Sequence, residues 1–390
     1  MLAGLDPYNG NALLQADSTA GPEQGWFSDT LSFEDPVYPP TTLFLMTPFS
    51  AMRWHAAHLA WLAFTGLLYS IAACLVWELC ADDAPVAAGA LVGAFAATST
   101  FLLMIANPTG VALSLCVIGV WCVLRKRFLT AGVICFALSL LWKPQIGGFL
   151  WLYFLLMAPF YRRFALKVLA VAAAISLPAI LWVSLMPASH HWLAELHTAV
   201  VTSMGPGGTG DPGIGNPTSY AYLNLQAIFS VIWDNPRFYV TVSYLIAAPM
   251  ILLWMLTTAR SVPSRRTIYV GLAAGAFLSL LPVYHRFYDG RLLLLMFPAA
   301  FLLWKEGGRL GRLALGCVTV MTAVLLNPLL NYLQWHRSTI YSGPLWLRLA
   351  GRPYPFVTLA IAGIFLWMYV QVVRKSRVDV AGVVQSDGKA

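Results

Sequence analysis

The stretch Leu280–Pro298, LLPVYHRFYDGRLLLLMFP, sets His285, Arg286, Asp289 and Arg291 within seven residues, between two long apolar runs. Ionisable side chains this close to hydrocarbon are costly and persist only where something holds them. The composition shows that hydrocarbon is the medium. Hydrophobic residues make up 59% of the 390 positions and charged residues 10%, where a soluble domain carries about a quarter charged. Mean hydropathy is +0.71. Apolar runs long enough to cross a bilayer recur along the chain. The sequence predicts an all-α polytopic transmembrane bundle of about eleven spans, approximately 55–80, 86–106, 109–124, 128–142, 145–160, 164–186, 238–258, 266–282, 289–304, 309–330 and 355–373.

The basic residues orient the bundle. Clusters fall at Arg125, Lys126 and Arg127, at Arg162, Arg163 and Lys167, and at Arg260, Arg265 and Arg266. Two more fall at Lys305, Arg309 and Arg312 and at Arg374, Lys375 and Arg377. All occupy alternate connections, so fifteen of the twenty-four Lys and Arg residues share one face. By the positive-inside rule that face is cytoplasmic. The net charge of +8 reports membrane topology, not nucleic-acid binding. The chain divides into an external N-terminal loop and interfacial segment (1–54), spans one to six (55–186), an external loop (187–237), spans seven to eleven (238–373) and a cytoplasmic tail (374–390). The expected location is the plasma (inner) membrane. The six cysteines lie in or beside apolar spans without metal spacing and read as small buried hydrophobes.

The outer face collects the polar motifs. The N-terminal segment carries six acids before His55, yet no early apolar segment translocates it. The expectation is that a first transmembrane helix belongs upstream of Met1. Pro39 and Pro40 signal a helix start. They do not explain why Asp29, Glu34 and Asp35 crowd in front of Tyr38; carboxylates at the mouth of a membrane cavity suit a general base acting on a hydroxyl acceptor. Lys143, in LLWKPQIGG beside Pro144 and Gln145, lies on the face opposite the basic clusters. It reads either as a lysine reaching for water or as a point charge holding phosphate. Asn107 occupies the preceding outer turn, IANPTG.

The loop MGPGGTGDPGIGNPTSYAYLNLQAIF reads as a linker or a lid, and it lacks the spacing of a phosphate loop. His190, His191 and His197 precede it on one amphipathic segment without a cysteine pair nearby, a weak case for a metal site. In the opening stretch Asp289 either pairs with Arg286 or Arg291, or orients His285 and Arg286 towards an anionic lipid phosphate. The segment with His336, Arg337, Tyr341, Trp346, Arg348 and Arg352 reads as an interfacial aromatic and basic belt.

Taken in order, LAGLDPY, YPPTTLFLMTPFSAM, LLWKPQ, GNPTSYAYLNLQ and YHRFYDGRLLLL resemble glycosyltransferase family 87, a group of GT-C type membrane enzymes. The resemblance implies transfer of a hexosyl, mannosyl-like unit from a polyprenyl-phosphate donor to a hydroxyl acceptor on the outer face, with inversion. A carboxylate of the first external loop serves as base. The family's usual aspartate lies near the end of a first helix, which here would precede Met1, and IANPTG departs from the Gly-Gln-Asn-like turn of the family.

The resulting expectation is specific. Glu34, Asp35 and Asp6 are the candidate catalytic acids, although Asp6 matches a family position with a structural role. Lys143, Arg286 and His285 are expected at the donor phosphate, and Tyr38, Asn107, Gln145, Asn216, Tyr288 and Asp289 around the substrate. No metal ligands and no cofactor are expected; a divalent metal is compatible with the chemistry but not required. Partners are the polyprenyl-phosphate-linked sugar, a lipid or glycan acceptor and membrane lipids, with no nucleic acid. The rival readings are a ligase or polymerase of lipid-linked glycans and a transporter or flippase of lipid-linked sugar. The transporter reading calls for polar groups near the midplane of broken, repeated helices, whereas here they gather at one face.

Overall fold

The computed structural model describes residue 8 and residues 37–104 and 107–387, so Asp6, Glu34 and Asp35 lie outside the described residues. Secondary structure among the described residues is helical, without a strand. The first half contains α1 (Pro40–Ser50), α2 (Trp54–Ala81), α3 (Pro85–Ala97), α4 (Thr100–Met104), α5 (Thr109–Arg125), α6 (Leu129–Trp142), α7 (Pro144–Leu156) and α8 (Pro159–Leu185). It continues with α9 (Trp192–Met204), α10 (Gln226–Ile232), α11 (Pro236–Ala259), α12 (Arg265–Ser279) and α13 (Met296–Glu306). The last five are α14 (Gly308–Val324), α15 (Asn327–Trp335), α16 (Arg337–Ser342), α17 (Leu345–Ala350) and α18 (Pro353–Asp387). A 3-10 helix, Asp289–Leu295, leads into α13.

Proline opens α1, α3, α7, α8, α11 and α18, because it lacks the N–H that a first turn leaves unpaired and its φ is already helical. Asn235 caps α11 by accepting from the Arg237 and Phe238 amides at 2.9 and 3.4 Å. Ser264 and Thr267 form a reciprocal capping box at the start of α12. The α5–α6 hairpin closes through Lys126 and Phe128 at φ +52° and +50°. Its helices touch at glycine: a Cβ on Gly132 would sit 2.6 Å from Cys122 Cβ. Small residues let transmembrane helices approach this closely.

Four helices are long and apolar enough to cross a membrane: His55–Ala81, Pro159–Leu185, Pro236–Ala259 and Pro353–Arg377. A fifth arises if Gly308–Val324 and Pro328–Trp335, bent by 47°, form one span. The eleven apolar runs of the sequence therefore resolve into these full-length helices and a set of shorter or interrupted ones. The run 86–106 divides into α3 and α4, and the run 289–304 into the 3-10 helix and α13. Length goes with position. Leu59, Leu185 and Leu245, on the long helices, are well exposed as lipid-facing side chains should be, whereas most of α5 and all of α12 from Thr267 to Ser279 are buried.

The 17 residues of α5 span about 25 Å, and a polar cluster meets each of its ends. At its C-terminus Arg125 pairs with Glu78 at 3.0 Å. Beside it Arg265 and Lys305 reach Asp83 at 2.7 and 3.4 Å, and Arg266 reaches Glu306 at 3.2 Å. These are the residues that the alternation of basic clusters assigns to one face. Its N-terminus, Thr109, belongs to the other cluster.

Candidate active site

Lys143 separates α6 from α7 and has an extended backbone, φ −157° and ψ 89°, as a residue before proline should. The break leaves carbonyls at the end of α6 unpaired. Thr42 Oγ1 lies 2.9 Å from Leu141 O and 3.2 Å from Trp142 O, its one proton serving either in turn, and Thr41 Oγ1 lies 3.4 Å from Leu141 O. The YPPTT motif thus docks on the LLWKPQ motif.

The break also sends the Lys143 side chain inward, where it is 4% exposed. Its Nζ donates to Asp289 Oδ1 at 2.8 Å and to Thr109 Oγ1 at 2.7 Å. The Thr109 hydroxyl lies 2.8 Å from Asp289 Oδ1 and 2.7 Å from Asn107 Oδ1, so its one proton serves either acceptor in turn. Asp289 Oδ2 accepts the Arg286 amide at 2.9 Å and lies 3.2 Å from His285 Nδ1. The carboxylate is fully buried and both its oxygens are occupied. Asp289 is therefore a hub that holds three chain segments together, each carboxylate oxygen turned to the chain's own donors.

Around this hub lie other expected residues. Asn107 Nδ2 donates to Tyr38 OH at 3.3 Å and Tyr288 OH at 3.4 Å, and the Lys143 ammonium sits 5.7 Å from the Tyr288 ring centre. Burial pushes the Tyr38 phenol up to about 12, with the Asp289 charge acting in the same direction, so Tyr38 is a neutral hydrogen-bonding group. Tyr8 OH donates to Tyr38 O at 2.8 Å. Half-buried Gln145 sits in the first turn of α7.

Arg286 is held from another side. Leu223 N donates to His285 O at 2.9 Å and Phe287 N to Ala221 O at 2.7 Å, so YHRFYDG pairs with the end of the glycine-rich loop. The guanidinium lies beside the edge-to-face pair of Tyr222 and Tyr284 rings, 5.6 and 5.7 Å from their centres, and one nitrogen donates to Thr209 O at 2.8 Å. No carboxylate among the described residues pairs with it. Asn216 builds the loop that supplies these partners. Its Nδ2 lies 2.8 Å from Asp211 O and 2.9 Å from Tyr222 OH, and its Oδ1 accepts the Thr218 amide at 2.9 Å. The loop is a folded structure around Asn216, and Asn216 stands one residue layer behind Arg286.

Two readings need correction. Of the two alternatives for Asp289 the ion pair falls, since it pairs with neither guanidinium: Arg291 turns away, donates to Leu325 O at 3.1 Å and to Thr98 O, and packs over Phe95. Arg352 is no interfacial residue. It is fully buried, donates to Ser219 Oγ at 2.8 Å and lies over the Tyr341 ring, whereas Trp335 and Trp346 of the same segment are exposed. The sequence reading did not single out Thr42, Thr109, Tyr222 or Tyr284. A hydroxyl immediately after Asn-Pro and a tyrosine two residues before Arg286 were the available signals for Thr109 and Tyr284. Among the described residues no group of three or more His, Cys, Asp or Glu is arranged to hold a metal.

The matched motifs thus converge on one end of a membrane bundle, and the sequence model of glycosyltransferase family 87 matches residues 37–283. The chain belongs to glycosyltransferase family 87. The match takes in Tyr38, Asn107, Lys143 and Asn216 and stops two residues before His285. No curated protein and no solved structure matches the chain. Family membership makes it a membrane glycosyltransferase, with a sugar donor and an acceptor as substrates.

Proposed function

We propose that this enzyme moves a hexosyl unit, mannosyl-like, from a polyprenyl-phosphate donor to a hydroxyl of a lipid or glycan acceptor, at the non-cytoplasmic face of the plasma membrane. The observation that carries this reading is Arg286: a guanidinium packed against two tyrosine rings beside the Lys143–Asp289 pair, with no carboxylate partner among the described residues. A planar donor of this kind suits a phosphate oxygen. The Lys143 charge is matched by Asp289 at 2.8 Å, so its part is to shape the site and add a weaker positive field.

The reaction is a direct displacement. The acceptor oxygen bonds to the sugar anomeric carbon as the bond to the phosphate oxygen breaks, inverting the configuration. The acceptor proton passes to a carboxylate, and the negative charge left on polyprenyl phosphate is met by Arg286. Glu34 and Asp35, which precede Tyr38 in the sequence, are the proposed bases, with Asp6 as the third candidate. His285 and Asn107 fix the edges of the site, and Gln145, Tyr38 and Tyr288 offer neutral hydrogen bonds to sugar hydroxyls.

The test is transfer of radiolabelled sugar from polyprenyl-phosphate mannose and polyprenyl-phosphate glucose into lipid by the purified chain in vesicles. Transfer that falls at least 100-fold in Arg286→Ala and recovers in part in Arg286→Lys supports the proposal. Transfer from a diphosphate-linked oligosaccharide and from neither monophosphate donor would replace it with the ligase reading.

A further inference from the structure

The opposite end of the bundle carries a second, unassigned cavity. A groove of about 720 Å³ opens between the first turns of α6 and the first half of α8, lined by Val133, Phe160, Phe164 and Val171 with Arg163 and Lys167 at its rim. Arg163, Lys167 and Val171 repeat at four-residue intervals along α8, so they form one stripe, cationic near the helix start and apolar deeper in. The neighbouring Arg162 donates to Leu155 O at 3.2 Å and Met157 O at 3.5 Å, closing the end of α7. Arg163 and Lys167 are exposed and make no ion pair or hydrogen bond among the described residues. A third cation, Lys126, stands 5.4 Å from the centre of the Phe160 ring at the groove mouth. No side chain caps the first turn of α6, which lines the same mouth.

We infer that this groove binds an anionic phospholipid, its phosphate held by Arg163 and Lys167 and one acyl chain lying against Val133, Phe164 and Val171. Charge complementarity selects the occupant. Three cations with no acidic partner border an apolar slot wide enough for a hydrocarbon chain, on the face where basic clusters meet anionic headgroups. A lysine that merely reached for water would need no slot beside it. The site is separate from the Asp289 hub: α5 alone puts about 25 Å between its two ends, and Lys126 follows the far one.

Native mass spectrometry of the full chain in detergent tests this, with dioleoylphosphatidylglycerol, dioleoylphosphatidylcholine and inorganic phosphate as probes. The expected result is at least fivefold greater retention of the glycerol lipid than of the choline lipid. The preference should disappear in Arg163→Gln/Lys167→Gln, and retention should fall in Val133→Trp, which fills the slot without altering charge. Unchanged helicity by circular dichroism confirms that each variant is folded. Equal retention of the two lipids, a preference that survives the double substitution, or displacement of the lipid by millimolar inorganic phosphate would each overturn the inference.

Discussion

The two ends of the bundle solve opposite problems with the same residue types. At the basic end the ion pairs are partly open to solvent; Arg125 and Glu78 keep 26% and 44% of their side-chain surface exposed. At the other end Lys143 and Asp289 keep 4% and none. An exposed pair gains little, since water competes for each charge. A buried pair is costly to assemble and ruinous to break singly, because the surviving charge has no partner. The basic end therefore anchors and orients, while the buried end fixes three segments of chain into one geometry. Arg286 has no carboxylate partner among the described residues and, unlike the buried Arg291 of the same stretch, it is partly exposed. This difference separates scaffold from chemistry.

The comparison is broken most directly by removing one member of the buried pair. Lys143→Met or Asp289→Asn is expected to lower stability by about 3–5 kcal/mol, read as thermal unfolding in detergent, and Lys143→Met/Asp289→Leu should cost less than either alone. If the double variant is the worst of the three, the pair is not the unit of stability described here. Packing comes next. A Cβ on Gly311 would lie 2.2 Å from Leu303 O, so Gly311→Ala should cost about 1–3 kcal/mol by forcing α13 and α14 apart; an unchanged unfolding temperature would show that the helices are less closely packed. Thr42→Val, which removes the hydroxyl beside Leu141 O and Trp142 O and leaves only Thr41 near the first, should cost about 1 kcal/mol. Smallest is Arg125→Gln at the basic end, expected within about 1 kcal/mol of wild type. A loss as large as that of Lys143→Met would erase the distinction between the ends.

Much of this was legible in the sequence, for definite reasons. Charge alternation needs only correct counting of connections, and the ion pairs of Arg125, Arg265 and Lys305 at one end agree with it. Prolines at helix starts act locally, so Pro39 and Pro40 were informative, and a helix does begin at Pro40. LLWKPQ and YHRFYDG were both picked out, and they do meet. What hydropathy could not supply was the interruption of apolar runs. The break at 98–99 and the 3-10 turn at Asp289 occur within apolar stretches, where tertiary contacts decide. Nor could spacing reveal that Asp289 would choose Lys143, 146 residues away, over Arg286 and Arg291 beside it. Arg352 looked interfacial because its neighbours are; its burial depends on Ser219, far along the chain.

The most direct test of the central claim compares sugar transfer by Arg286→Ala with transfer by Lys143→Met/Asp289→Leu, each assayed in vesicles below its unfolding temperature. The account predicts that the arginine variant loses at least 100-fold in rate while unfolding like wild type, and that the double variant, its hub replaced by apolar groups, keeps a larger share of its activity. An Arg286→Ala enzyme within a few fold of wild type would contradict the assignment of the leaving phosphate to Arg286.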